Sequence, residues 1–289
     1  MNNGYKFSLS IATEPLSPAA PVIFKGNLYD IIDKSKAIGY DGIELQLRDP
    51  EKIDGDALKE YCKKTNMEIS AIATGLEYTL SGLSMIDDDE QKRLKMREKL
   101  FLDVELAEKL ECPVIIGCVR GNIPAFKDKQ VYLERFREEM LLLSDKAAKH
   151  SVTVVLEAIN FYVNNYLNSV KQTCDFIDSL NRDNIKLHID THHMAIEEYN
   201  MLDAVRYAGD RIGYVHFTEN NRMYPGAGSV DFWSIMQQLK EIDYKGYIAL
   251  EIAPLPDEDT CAIKGLEYLK KLTELVSFRP YGIPVGSSV

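Results

Sequence analysis

Residues 186–194 read KLHIDTHHM, so three of the chain's five histidines crowd beside one aspartate. Imidazole and carboxylate together can bind a metal ion, relay a proton or satisfy one another in a core. Isolated acids and a further histidine recur nearby: Glu157 in TVVLEAI, His216 in IGYVHFT and Glu251 in GYIALEI. Each sits late in a run of aliphatic and β-branched residues, which is how a buried strand reads. Successive side chains of a strand point to opposite faces, so parity sorts these residues. Val154 and Leu156 share one face and Glu157 takes the other; Leu187 and Ile189 oppose His188 and Asp190. Val215 and Phe217 oppose His216, and Ile248, Leu250 and Ile252 oppose Glu251.

The elements that must position them alternate along the whole chain. Strands are expected at 6–12, 41–47, 68–74, 113–119, 153–159, 185–190, 212–218 and 246–252, each followed by a helical stretch. The first helix, NLYDIIDKSKAIG, stops at Gly39; the fourth and largest is YLERFREEMLLLSDKAAKH; the last begins at TCAIKGLEY. Eight strand-helix units without a linker predict a single-domain α/β fold, a (β/α)8 TIM barrel spanning residues 1–289, with a tail from about 279. A doubly wound sheet is the runner-up, weakened because no glycine-rich phosphate loop follows the first strand.

In such a barrel the aliphatic parity faces the helices. Glu157, Asp190, His216 and Glu251 then point inward near the carboxyl ends of four consecutive strands, the rim where barrel active sites form. Three converging carboxylates would raise one another's proton affinity, and a divalent cation removes that conflict. Three oxygen donors and one imidazole suit Mn2+, Mg2+ or Co2+ better than a thiolate-seeking ion.

Other residues receive a plainer reading. His188, two residues deeper than Asp190, fills the inner layer or hydrogen-bonds to a ligand; His192 and His193 lie past the strand end. Glu44 and Gln46 share the inward parity of the second strand, where substrate contact competes with structural satisfaction. Trp233 reads as a core anchor and Arg120 as a solvated cation. The acidic run 87–90 is read as the opening of a helix, favoured by its dipole, and residues 75–85 as a loop able to cover the barrel mouth.

Composition narrows the function classes. The chain is 45% hydrophobic and 27% charged with a net charge of −11, which disfavours phosphate backbones where no basic cluster offsets it. No apolar run approaches the roughly 20 residues of a membrane span, and the amino terminus lacks signal-peptide organisation. A cytoplasmic protein is expected by default. Five scattered cysteines without a C-x-x-C spacing read as reduced and mostly buried.

The segments LHIDTHHMAIEE and HFTENNRMYPGAGSVDFWSI, with VVLEAIN and ALEI, resemble the xylose-isomerase-like barrels, and within them the D-tagatose/D-psicose 3-epimerase type. The resemblance covers residues 5 to about 275. It implies that Glu157, Asp190, His216 and Glu251 hold one divalent metal, Mn2+ foremost, with Co2+, Mg2+ or Zn2+ as alternatives. It implies that Glu157 and Glu251 form a catalytic pair, and that His193 and Arg222 contact substrate, with Asn160 retained beside them. The substrate would be a small-molecule sugar, epimerised (or interconverted between aldose and ketose) through an enediolate, and the assembly a dimer or tetramer. One departure stands out. Where these epimerases read L-E-x-x-N-R-x-E, this chain reads LEAINFYV, with Phe161 for the arginine and Val163 for the second glutamate. Apolar surface thus replaces a polar contact, leaving the sugar's identity open.

Three other functions compete with the epimerase reading. A lyase of the same barrel group would dehydrate a keto-inositol or related polyol. An abasic-site endonuclease would need more histidines on the second and third strands than DGIELQL and EISAIAT provide, and an Asp-x-His where the chain reads Asp231-Phe232-Trp233. A non-catalytic sugar-binding barrel would keep only a vestigial site.

Overall fold

The structure, a computed structural model, describes residues 4–277; the tail expected from about 279 lies outside the described residues. The strands are β1 (Lys6–Ala12), β2 (Phe24–Lys25), β3 (Gly42–Gln46), β4 (Glu68–Ala73), β5 (Val114–Ile116), β6 (Val154–Glu157), β7 (Ile185–Asp190), β8 (Ile212–His216) and β9 (Tyr247–Leu250). Around them lie α1 (Leu28–Ile38), α2 (Gly55–Thr65), α3 (Gly75–Ser81), α4 (Glu90–Leu110), α5 (Lys129–Lys149), α6 (Val170–Leu180), α7 (Thr191–Glu197), α8 (Met201–Ala208), α9 (Phe232–Glu241) and α10 (Glu258–Ser277). All strand pairings are parallel, and β9 pairs back onto β1, closing a barrel of eight strands. The α/β fold and the eight expected strands are therefore present. Two-residue β2 was not among them; it extends the sheet at the rim by pairing Phe24 with Ile11.

Parity does what alternation requires. Val154, Leu156, Leu187, Ile189, Val215, Phe217, Ile248 and Leu250 are buried in one continuous core between barrel and helices. Inside the barrel a smaller cluster joins Ala71, Ala73, Ile115, Val155, Tyr214 and Ala249. Mostly small residues suit that narrow space, which leaves polar side chains at the carboxyl rim room to converge.

Local signals fix the helix ends. Asn27 caps α1 by accepting from the backbone N–H groups of Tyr29 and Asp30, and Gly39 ends it at φ 106°. Asp89 caps α4, so the acidic run opens a helix as expected; its neighbour Asp88 accepts from Tyr132 and pairs with Arg135. Two expectations are corrected here. α5 is not the longest helix alone, because α4 equals its 21 residues. Trp233 is 47% exposed, since the phase of α9 turns Phe232 inward and leaves its neighbour outside. All five cysteines are free, four of them buried and Cys118 partly so. No helix among the described residues is long and apolar enough to cross a membrane.

Candidate metal centre and substrate cavity

The carboxyl ends of the strands open into a cavity of about 500 Å³, within the range of ligand pockets. Its polar side comes from Gln46, Glu157, His193, His216, Arg222 and Glu251; its apolar side includes Leu16, Leu76, Leu80 and Val163. Residues 75–81, expected as a covering loop, form α3 instead and supply part of that wall.

Glu157, Asp190 and His216 are the last residues of β6, β7 and β8, and Glu251 follows β9 directly. Asp190 and His216 are register partners. The Nδ1 of His216 lies 3.8 Å from Asp190 Oδ2 and 3.8 Å from Glu251 Oε2. Donor atoms of Asp190, His216 and Glu251 gather within 4.8 Å of one another; Glu157 forms similar groups with Asp190 and His193, and with His188 and His216. The four residues picked out by strand parity thus converge as overlapping triads that share Asp190, His216 and Glu157.

His216 is oriented from behind. Its Nε2 sits 2.6 Å from Glu44 Oε2, which turns Nδ1 toward the acids, where that buried atom has no hydrogen-bond partner. Glu44 itself is wholly buried and is not among the residues lining the cavity; it lies beneath the site. Gln46 does line it, donating to Glu251 Oε1 at 3.0 Å and to Ser10 Oγ at 3.1 Å.

Past β7, Asp190 caps the short helix α7 by accepting from His192 N–H, which swings His193 inward. The Asn160 side-chain amide donates to His193 Nδ1 at 2.6 Å, so Nε2 carries the ring proton, 3.5 Å from Glu157 Oε1. Asn160 therefore stands behind His193, outside the cavity lining. His192 turns away, its ring against the Glu219 and Asn220 carbonyls. Arg222 sits among the acids, with one guanidinium nitrogen 2.7 Å from Asp190 and 3.2 Å from Glu251. Its backbone adopts φ 64°, held by Ala253 N–H donating to the Arg222 carbonyl.

Charge and burial set the electrostatics. Burial and the nearby Glu251 push Glu157 up to about 8, and burial also raises Glu251. Burial works against Asp190 too, but Arg222, His216 and His193 outweigh it and hold its carboxyl well below the usual range. For His216, burial is outweighed by Glu44, Asp190 and Glu251, which favour its charged form.

Two supporting residues escaped the sequence reading. Arg120, expected in solvent, is wholly buried and donates to the Glu157 backbone carbonyl at 3.1 Å, beneath the Tyr166 ring. Glu219 is buried and accepts from the backbone N–H groups of Gly226 and Val230, tying down the P-G-x-G loop after β8. A side chain at Gly228 would collide with that carboxylate, so the glycine there makes a close approach possible.

This geometry has relatives. An L-ribulose 3-epimerase of Methylomonas sp. (strain DH-1) is 35% identical over 216 residues, covering 74% of each chain. A D-psicose 3-epimerase of Enterocloster bolteae is 33% identical over 233 residues, covering 76% of this chain and 75% of its own. Among solved structures, a D-allulose 3-epimerase from Methylomonas sp. superposes with a TM-score of 0.78 at 28% identity, covering 93% of this chain and 98% of its own. A family model for xylose isomerase-like TIM barrels matches residues 32–272, and the chain belongs to that family.

Proposed function

We propose that the protein is a divalent-metal-dependent ketose epimerase that inverts the carbon next to the carbonyl, of the 3-epimerase type. The observation that carries this reading is a pair of buried glutamates, Glu157 and Glu251, lining one cavity beside the bare Nδ1 of His216. That nitrogen faces the acids without a hydrogen-bond partner, and a cation that displaced the proton the acids favour there would satisfy the whole set. Glu157, Asp190, His216 and Glu251 would hold the ion, with Mn2+ foremost and Co2+, Mg2+ or Zn2+ as alternatives. When bound, it acts as a Lewis acid toward a ketose carbonyl and the adjacent hydroxyl.

The chain's own residues supply the proton traffic. One glutamate removes the proton from the carbon beside the carbonyl, giving an enediolate, and the other returns a proton to the opposite face. Burial raises the basicity of both, which suits abstraction from carbon. His193 Nε2–H and Arg222 donate to the oxygen that gains charge, and Asn160 keeps His193 in the donor tautomer. The ketose 3-epimerases at 33–35% identity support this assignment. A small sugar is the substrate, and its far end meets the apolar wall of Leu16, Leu80 and Val163. We also infer a cytoplasmic location and a homo-oligomer, dimer or tetramer; the exposed Phe126, Phe161 and Tyr162 side chains support the association.

A second reading, a lyase that expels a β-hydroxyl from the same intermediate, is favoured by Val163, which stands where the related epimerases carry a glutamate. Incubation with Mn2+ and ketopentoses or ketohexoses in D2O separates the two. Deuterium should enter the carbon next to the carbonyl, with the epimer accumulating. Enone absorbance from a cyclic keto-polyol, without exchange in simple ketoses, would favour the lyase, and exchange in no substrate would defeat both.

A further inference from the structure

The two glutamates proposed for proton transfer are aimed by different means. Gln46 donates to the Glu251 carboxylate at 3.0 Å, and Arg222 pairs with it at 3.2 Å. Among the described residues the Glu157 carboxylate accepts no hydrogen bond, and His193 Nε2 stands 3.5 Å away. Its place is therefore set by the backbone that carries it and by the walls around it.

One short turn after β5, residues 117–120, supplies both. A Cβ at Gly117 would sit 2.6 Å from Glu157 Oε2, so the carboxylate rests against bare backbone there. From the end of the turn Arg120 donates to the Glu157 carbonyl at 3.1 Å, and the same nitrogen lies 3.5 Å from the Leu167 carbonyl. Those carbonyls open and close the segment 157–167, which also carries Asn160, the partner of His193, and Val163 of the cavity wall. Tyr166 completes the clamp: its hydroxyl donates to the Arg120 carbonyl at 2.9 Å, and its ring lies 5.2 Å from the guanidinium.

The fold alone gives no reason for a cation at this point. Arg120 is wholly buried and makes no ion pair among the described residues, and its Nε and Nη2 have no hydrogen-bond partner. A buried charge with open donors is less favourable than an apolar side chain of similar length. Residues that lower stability in this way are retained where a site needs them.

We propose that Arg120 is a positioning residue for the reaction: it clamps the segment 157–167 at both ends and so holds Glu157, and Asn160 behind His193, in register with the sugar. This rests on the epimerase reading above. Arg120 is not among the residues lining the cavity, so it acts through the segment it holds and not on the sugar itself.

The test separates positioning from support of the fold. Full-length protein in saturating Mn2+ is assayed for deuterium exchange into a ketose, with kcat and KM measured separately and a melting curve recorded for each variant. In Arg120→Met, kcat should fall about 10- to 100-fold, the effect of a displacement of about 1 Å at the reacting groups, while KM changes little. Its melting temperature should match or exceed that of the wild type, because the uncompensated charge is gone. Arg120→Lys, which keeps a cation able to reach the Glu157 carbonyl, should recover most of the lost kcat. An unchanged kcat in Arg120→Met would overturn the inference and leave the epimerase reading standing. A kcat that falls together with the melting temperature, and that lysine does not restore, would also overturn it by making Arg120 a support of the fold. If Arg120→Met does not fold, Tyr166→Phe carries the test, since it frees the Arg120 carbonyl and keeps the ring: kcat should fall at constant KM, and an unchanged kcat would overturn the clamp. A wild type that exchanges deuterium into no ketose would instead overturn the epimerase reading, and the inference with it.

Discussion

Two clusters of buried acids lie on either side of the cavity wall, and they resolve the same problem differently. At the cavity floor, Glu157, Asp190 and Glu251 share their space with Arg222, His193 and His216. Behind the wall, Glu77 on α3 and Asp103 on α4 are equally buried, yet none of their four carboxylate oxygens meets a donor. The nearby cation Lys99 spends its ammonium on the Arg48 carbonyl at 2.9 Å and on Asp49 at 3.0 Å. Burial and mutual repulsion push Glu77 up to about 11, and burial raises Asp103 to about 7. The two carboxyls can bond to each other only if one keeps its proton, so this cluster sheds one of its two charges by holding a proton rather than by pairing with a cation. It lines no part of the cavity, and it is not among the donor groups able to hold an ion in the described residues. A concentration of acids does not by itself mark a candidate metal centre; at the floor, an imidazole aimed into the acids beside open space does.

The sharpest way to break that contrast is at the floor. Glu251→Gln keeps the shape and the Gln46 contact but removes a proposed base, and hydrogen exchange should fall about 10³-fold, near the middle of the range for general base catalysis. A circular dichroism spectrum should remain that of the wild type. Undiminished exchange would return Glu251 to a structural role and make the two clusters alike. Glu44→Gln asks a gentler question, since it weakens only the bond that aims His216. Metal affinity should drop about 10- to 100-fold, measured by chelator competition, with the fold retained.

The proton-sharing pair should show itself in stability against pH. Asp103 titrates near 3.9 unfolded and about 7 folded, so between those values the native state binds more protons and stability falls as pH rises. Asp103→Asn removes that dependence while keeping a partner for Glu77. A carboxyl whose midpoint rises by about three pH units on folding carries about 4 kcal/mol of linked stability. With Glu77 sharing the proton, about 2 kcal/mol of relative change is expected from pH 4 to pH 8, a change in Tm difference of roughly 5 °C. Parallel thermal melting curves for the two proteins across that range would contradict the shared proton.

How much of this was legible depends on whether the signal was local. Strand alternation is local, so the barrel and the four floor residues could be read from period and parity, and so could the burial of His188 and Glu44. Depth is not local. Glu44 has the inward parity of Gln46, but being two residues earlier on β3 it falls under His216, while Gln46 reaches the cavity. Arg120 looked solvated because nothing adjacent in sequence pairs with it. Its cover comes from residues 164–167, where Tyr166 donates to the Arg120 carbonyl and Asn164 to that of Gly121. The Glu77–Asp103 pair was invisible for the same reason: it joins α3 and α4 across 26 positions of chain and leaves no spacing motif.

Lys99→Met is the smallest perturbation and the one that separates the clusters most cleanly. The lysine is mostly buried, and its charge is the main force lowering the proton affinity of Glu77. Its removal should move the Asp103 titration upward by less than about one pH unit and cost about 1 kcal/mol or less, because Asp49 keeps Arg48 and Lys52 as partners. Since α3 contributes Leu76 and Leu80 to the cavity wall, a change in packing would appear as a modest rise in KM. The exchange rate at saturating sugar should not move, because no proposed proton donor or acceptor is touched. A fall in kcat with unchanged metal content would mean that the charge behind α3 reaches the floor, and the two acid clusters would have to be treated as one coupled system.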